Sequence, residues 1–217
     1  MRQQLIDLRA VMAKHGVDFC LVPSNDFHGS EYLSSHFKAR KWVSGFTGSA
    51  GTLLVSQDWA GLWTDGRYFL QAADQLAGSG IELMKMGEPG VPTLNEYIEK
   101  HLQKNQVLGF DGRVVSTRQA EGLRKLADKC GASIACEEDL VGEIWTDRPA
   151  LSAQPAFELT ADVVGKSRAE KLMDLRAALA KEGADGHAVV SQVALDFVTQ
   201  HGGVDEEHRF IRRHGGE

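Results

Sequence analysis

The sequence predicts an α/β fold: a mixed central sheet with helices on both faces, followed by an incomplete second copy of the same arrangement. Three observations carry this. A helix, a glycine stop and a strand near the N-terminus recur near residue 172. Two adjacent apolar runs read as a hairpin, and the rest of the first 146 residues alternates between helical and extended patterning.

The recurrence is the firmest of the three. The segment from Leu5 to Asp18 aligns without a gap on the segment from Leu172 to Asp185. Leu5, Leu8 and Met12 repeat at helical spacing, as do Leu172, Leu175 and Leu179. Each run closes on Lys-x-Gly, at Lys14–Gly16 and Lys181–Gly183. Glycine enters the left-handed conformation that ends a helix without steric cost, and lysine suits the negative helix end. Short apolar runs follow, Phe19 to Val22 and His187 to Val190, and both read as buried strands. A repeat this widely separated indicates two domains of one kind rather than a solenoid.

The elements between the copies follow in order. Residues 38–43 are expected to be helical. Thr52 to Val55 and Ala60 to Trp63 are expected as strands about a Gln57-Asp58 turn. A helix over 68–75 and a strand over 81–84 come next. Thr93 is placed to cap a helix reaching Leu102, Val107 to Phe110 is a strand, and Ser116 is placed to cap a helix reaching Lys129. Ala132 to Ala135 is the last strand of the unit, and Glu137, Glu138 and Asp139 sit at a helix start, where carboxylates suit the dipole. The expected organisation is a first domain over 1–146, a proline-bearing linker over 147–156 and a second, partial domain over 157–217. A lone helix and strand bury little apolar surface. The second segment is therefore expected to dock, to dimerise or to stay mobile.

Composition narrows the function. The 217 residues are 42% hydrophobic and 25% charged, which suits a folded domain, and the net charge of −6 gives no general attraction for phosphate backbones. Nucleic acid is not an expected partner. No apolar run is long enough to span a bilayer, so no membrane is expected either. Three cysteines, Cys20, Cys130 and Cys136, without a secretory leader pattern point to a reducing compartment and a cytoplasmic location.

Polar and glycine-rich residues concentrate between Asp26 and Tyr68. The glycines of the stretch from Gly45 to Gly51 lack the Lys-Ser or Lys-Thr of a phosphate loop, and a strand follows where that loop needs a helix. They are expected to serve a tight turn and close backbone packing. Asp65, Arg67 and Tyr68 read either as a binding cluster or as a turn in which Asp65 caps a helix and Arg67 pairs locally. His28 with Glu31 supplies only two of the three or more ligands a metal site needs. His201, His208 and His214 fall in a polar tail without ligand spacing. Cys20 reads as a small buried residue, and no Ser/His/Asp set stands out.

The same segments carry a family resemblance. Asp26-x-His28-x-Ser30-Glu31-Tyr32 comes first. The second is Arg40-x-Trp42-x-Ser44-Gly45-Phe46-x-Gly48-Ser49-Ala50-Gly51-Thr52. Trp63-Thr64-Asp65-Gly66-Arg67-Tyr68-Phe69-x-Gln71-Ala72 and Ile144-Trp145-Thr146-Asp147-Arg148-Pro149 complete the set. From about residue 1 to 196 this order resembles the creatinase-type N-terminal region of Xaa-Pro aminopeptidases (aminopeptidase P) of the long, three-domain type. The resemblance implies two related N-terminal domains ahead of a catalytic domain. That domain uses two divalent ions, usually manganese, held by two Asp, one His and two Glu, to release an N-terminal residue that precedes proline. None of those ligand motifs has a matching position here, so no cofactor is expected in this chain. The motif residues Asp26, His28, Ser30, Glu31, Tyr32, Arg40, Trp42, Asp65, Arg67 and Tyr68 are expected to be structural or to border substrate access. The resemblance further implies a homodimer, or association with a peptidase catalytic domain, and short peptides as the substrates of the parent enzyme. After Asp196 the pattern departs from the family, as a frame change or an early stop would produce. Three readings stay open: a non-catalytic portion of such a metallopeptidase, a stand-alone binding or assembly module, and a small α/β enzyme with a site near His28, Glu31, Asp65 and Arg67.

Overall fold

A computed structural model describes residues 1–30, 32–151, 153, 157–188 and 201–202. The chain divides into two compact units, Met1–Pro149 and Ala150–Glu217. In the first, six strands form one mixed sheet in the order β4-β3-β2-β1-β5-β6. They are β1 (Phe19–Val22), β2 (Thr52–Ser56), β3 (Ala60–Thr64), β4 (Glu82–Lys85), β5 (Val107–Phe110) and β6 (Ser133–Ala135). β1, β2 and β3 are antiparallel neighbours, whereas β4 runs parallel to β3, β5 to β1 and β6 to β5. The hairpin is held at its turn by Ser56, whose hydroxyl donates to Asp58 at 2.7 Å and accepts the Trp59 amide at 3.1 Å.

Helices cover both faces, so the central strands are apolar on both sides. Along β1 the side chains alternate, Cys20 and Val22 entering one core and Phe19 and Leu21 the other. The first core takes Leu5, Leu8 and Met12 from α1 (Gln3–Lys14) and Val43 from α2 (Ala39–Ser44). Ala72 from α3 (Phe69–Gln75) joins them. The second core takes Ile98 from α4 (Leu94–His101) and Leu123 and Ala127 from α5 (Thr117–Cys130). Both capping expectations hold. Thr93 and Glu96 form a reciprocal cap on α4, and Ser116 and Gln119 do the same on α5. Asp139 caps the short α6 (Leu140–Ile144), whose Leu140 and Val141 return to the first core. The side chain of Arg2 donates to the Val43 and Trp42 carbonyls, closing the C-terminal end of α2.

The second unit holds β7 (Phe157–Glu158), α7 (Ala161–Val164), α8 (Arg168–Lys181) and β8 (His201–Gly202), with β7 and β8 antiparallel. α8 is the helix expected from the repeat, and its stop reproduces that of α1 bond for bond. His15, Gly16 and Val17 donate their amides to Val11, Ala13 and Met12; Glu182, Gly183 and Ala184 donate theirs to Ala178, Ala180 and Leu179. Both stop glycines have φ of +65°. The buried faces differ. Leu5, Leu8 and Met12 are fully covered, whereas Leu172, Leu175 and Leu179 are half-buried. Of the strand expected over residues 187–190, His187 and Ala188 carry no regular structure, and Val189 and Val190 lie outside the described residues. His201 sits on β8 rather than in an irregular tail; His208 and His214 lie outside the described residues. Among the described residues, no helix is long and apolar enough to cross a membrane.

Candidate functional site

At one end of the sheet the chain leaves β1, enters β2 and leaves β3. The motif residues gather there around Arg40. This guanidinium is only 5% exposed. Its Nε donates to Ser24 Oγ, one Nη to the Phe46 carbonyl at 3.0 Å and the other to the Gly48 carbonyl. It also lies 4.9 Å from the centre of the Phe46 ring. Burial pulls its pKa down to about 10, which leaves it charged at neutral pH. Carbonyl dipoles, not a carboxylate, offset that charge. Ser24 passes the connection on by donating to the Gly51 carbonyl at 2.7 Å, and Thr64 Oγ1 donates to that of Ala50 at 2.7 Å. Gly48 has to be glycine, because a Cβ there would fall 2.3 Å from the Phe46 ring and 2.8 Å from that of Tyr68. Tyr68 completes the loop through a 2.7 Å hydrogen bond between its hydroxyl and that of Ser49. The glycine segment is thus a loop built on a buried cation, in keeping with the tight-turn expectation.

The remaining motif residues are spent locally. Asp65 Oδ1 accepts the Arg67 amide at 3.1 Å, and both of its oxygens pair with the Arg67 guanidinium at 2.9 and 2.8 Å. That hydrogen bonding holds the Asp65 carboxyl below its usual range. Asp26, 7% exposed, accepts the amides of His28 and Ser30 at 2.9 Å each. Burial opposes its ionisation, but these bonds outweigh burial and lower its pKa. Trp42 stacks on Trp145 with ring centres 5.2 Å apart. Tyr32 is exposed. Glu31 lies outside the described residues. Among the described residues, no hydrogen bond, ion pair or ring contact joins His28 to Asp65 or Arg67. No group of three or more His, Cys, Asp and Glu side chains is placed to hold a metal ion.

A second cluster escaped sequence reasoning. Asp139 Oδ1 accepts the Gly142 amide at 2.8 Å, while Oδ2 takes Arg113 at 3.0 Å and also Arg148. Asp111 holds the same Arg113 through two 2.9 Å bonds. Arg148 reaches on to the His36 carbonyl at 2.8 Å and lies 5.4 Å from the Trp145 ring centre. The sequence signals for it were the segment from Ile144 to Pro149, which contains Arg148 and its ring neighbour Trp145, and Asp139 at an expected helix start; neither announces that Asp139 pairs with Arg148 and Arg113. The cluster borders a small, solvent-open crevice at the carboxyl ends of β1 and β5.

Residues 4–141 match the family profile described as the Creatinase/Prolidase N-terminal domain. The chain belongs to this family. Within it, the chain is 42% identical over 182 residues to "Probable Xaa-Pro aminopeptidase P" of Coprinopsis cinerea, a match covering 83% of this chain and 29% of the relative. It is 41% identical over 201 residues to "Aminopeptidase P1" of Arabidopsis thaliana, covering 91% of this chain and 30% of the relative. Among solved structures it superposes on the X-prolyl aminopeptidase of Caenorhabditis elegans, described as a cytosolic enzyme with a di-nuclear active site. The TM-score is 0.75 at 30% identity, over 92% of this chain and 34% of that one. The creatinase-type chain therefore spans about three tenths of the length of the curated relatives it matches, and corresponds to the N-terminal portion of Xaa-Pro aminopeptidase-like proteins.

Proposed function

We propose that this chain is the non-catalytic N-terminal portion of an Xaa-Pro aminopeptidase-like metallopeptidase of the cytoplasm, and that it contributes to dimerisation and to the walls of the active-site entrance. The parent activity is release of an N-terminal residue that precedes proline. The observation that supports this is how the motif side chains are used. Arg40, Asp26 and Asp65 are each satisfied inside the chain and shape loops, and the loop beside Tyr68 leaves Arg67 and Leu70, the latter 90% exposed, facing outward. Such residues suit a wall better than a reaction centre. On this reading the two metal ions and the activated water belong to a catalytic domain, and short peptides are its substrates.

The test is hydrolysis. The purified chain with manganese and an Arg-Pro-Pro peptide is expected to release no arginine; turnover would overturn the proposal. A second reading, a stand-alone binding or assembly module, draws on the outward Leu70 and on Met86, which is also exposed. Co-purification with a full-length relative would favour it, and a strictly monomeric chain with no partner would count against it.

A further inference from the structure

The four tryptophans, Trp42, Trp59, Trp63 and Trp145, sit in different electrostatic settings. Trp63 is 2% exposed and donates its indole N–H to a neutral acceptor, the Pro92 carbonyl, at 2.9 Å. Trp145 stacks on Trp42 and lies 5.4 Å from Arg148, whose charge Asp139 balances, so that ion pair gives neither ring a net negative neighbour. Among the described residues, Trp59 is the only indole that donates to a carboxylate, from Nε1 to Glu82 Oε2 at 2.8 Å.

These settings rank the rings by how readily each gives up an electron. Loss of one electron leaves a positive charge on the ring and an acidic N–H. A hydrogen-bonded carboxylate stabilises that charge and accepts the proton, which a neutral carbonyl cannot do. Trp59 is also in contact with two other oxidisable rings. Its ring centre is 5.8 Å from that of Trp63 and 4.2 Å from that of Tyr97, and Tyr97 is 5.4 Å from Trp63. An electron lost from any of the three is replaced across a single ring contact. Tyr97 is not the end point, because a phenol gives up its proton along with the electron. Its hydroxyl has no partner among the described residues, and burial, with Glu82 and Asp58 nearby, pushes its pKa up.

We propose that Trp59 is a one-electron oxidation sink for the second core: a radical oxidant that reaches Trp59, Trp63 or Tyr97 leaves the unpaired electron on Trp59. The oxidant, a small radical of the azide or carbonate class, gains one electron and becomes its anion. The indole becomes a radical cation. Its Nε1 proton passes along the existing hydrogen bond to Glu82, leaving a neutral indolyl radical and a neutral carboxyl group. Trp63 is refilled from Trp59 and stays intact in the core. None of the residues around Arg40 takes part, so the reaction is separate from peptide hydrolysis.

The experiment exposes the full 217-residue chain to radiolytically generated azide radicals in the presence of nitroso-tert-butane, which bonds through nitrogen to a ring-carbon radical. Adducts are mapped by peptide mass spectrometry. Trp59 is expected to carry at least ~5-fold more adduct than Trp42, Trp63 or Trp145. Glu82 is exposed on the edge strand β4, and Glu82→Gln keeps an acceptor for the indole N–H while removing the charge. That change is expected to lower the Trp59 share at least ~5-fold, with Trp63 and Tyr97 gaining it. Trp59→Phe is expected to move the adduct to Trp63 and Tyr97. A ring labelled merely because it is accessible would be labelled equally in Glu82→Gln. Adduct on Trp59 no greater than on Trp42, an unchanged distribution in Glu82→Gln, or adduct passing to Trp42 and Trp145 in Trp59→Phe would each overturn the proposal.

Discussion

Arg40 and Gly48, eight residues apart, are joined by a buried hydrogen bond from the guanidinium to the glycine carbonyl. The same side chain holds the carbonyl of Phe46 and the hydroxyl of Ser24. Three acceptors on one planar fork are beyond what an ammonium can satisfy with the same geometry. Arg40→Ala strands two buried carbonyls and is expected to cost about 3 kcal/mol in urea unfolding. Arg40→Lys is expected to recover less than half of that. Equal stability of the lysine variant and the parent would show that the fork geometry is unimportant.

Gly61 lies beneath the Trp59 indole, and a Cβ there would fall 2.1 Å from the ring. Trp59 is stacked on Tyr97 with centroids 4.2 Å apart and donates to Glu82 at 2.8 Å. Gly61→Ala therefore has to lift the indole away from the strand. The expected result is a loss of about 2 kcal/mol with a shift in tryptophan emission, because an overpacked site distorts its neighbours. Unaltered fluorescence would mean that the ring had never rested there.

The acid side of the stability curve should contain a contribution from Asp26. Its folded pKa lies below the unfolded value, so the stabilisation is complete above the ordinary aspartate range of about 4 and is lost as pH falls through the folded value. Asp26→Asn keeps an acceptor for the His28 and Ser30 amides but removes the titration. Chemical denaturation between about pH 6 and pH 2 is expected to show a shallower acid decline in the variant than in the parent.

Thiol labelling should separate the cysteines. Cys20 points from β1 into the first core, and burial pushes its thiol up to about 12. Reaction follows the thiolate and its access to reagent. Iodoacetamide at about pH 8 is expected to modify the partly exposed Cys130 and Cys136 in the native chain, and Cys20 only after denaturation.

Among the described residues, both apolar cores draw on the first unit, the last contributor being Trp145. A fragment comprising Met1–Pro149 is accordingly expected to unfold in one cooperative transition with its near-ultraviolet aromatic signal intact. A broad, non-cooperative transition would show that the residues beyond it supply part of the fold.

The locally encoded parts of this architecture were readable in the sequence. Thr93 with Glu96 and Ser116 with Gln119 announce helix starts within four residues, Lys14 and Gly16 announce a stop, and of the two readings open for Asp65 the structure has the capped turn paired with Arg67. The sheet order was not readable, because nothing local states that β5 returns beside β1 rather than beside β4. The Arg40 hub was hidden for a similar reason: its motif was plain, but two of its three acceptors are backbone carbonyls, which any residue carries. The pairing of Asp139 with Arg113 and Arg148 was equally invisible, since Arg113 arrives from another strand end.

The matched stops of α1 and α8 have a practical corollary for protein engineering. The hydrogen bonds that end each helix depend on the backbone and one glycine, so the segment over 168–184 carries its own terminator wherever it is placed. What it lacks is the shape of its counterpart: Val11 and Met12 are replaced by Ala178 and Leu179. Grafted in place of α1, it would end at the right residue and yet fill the cavity poorly, so that chain termination and core fit become separately adjustable in a chimera.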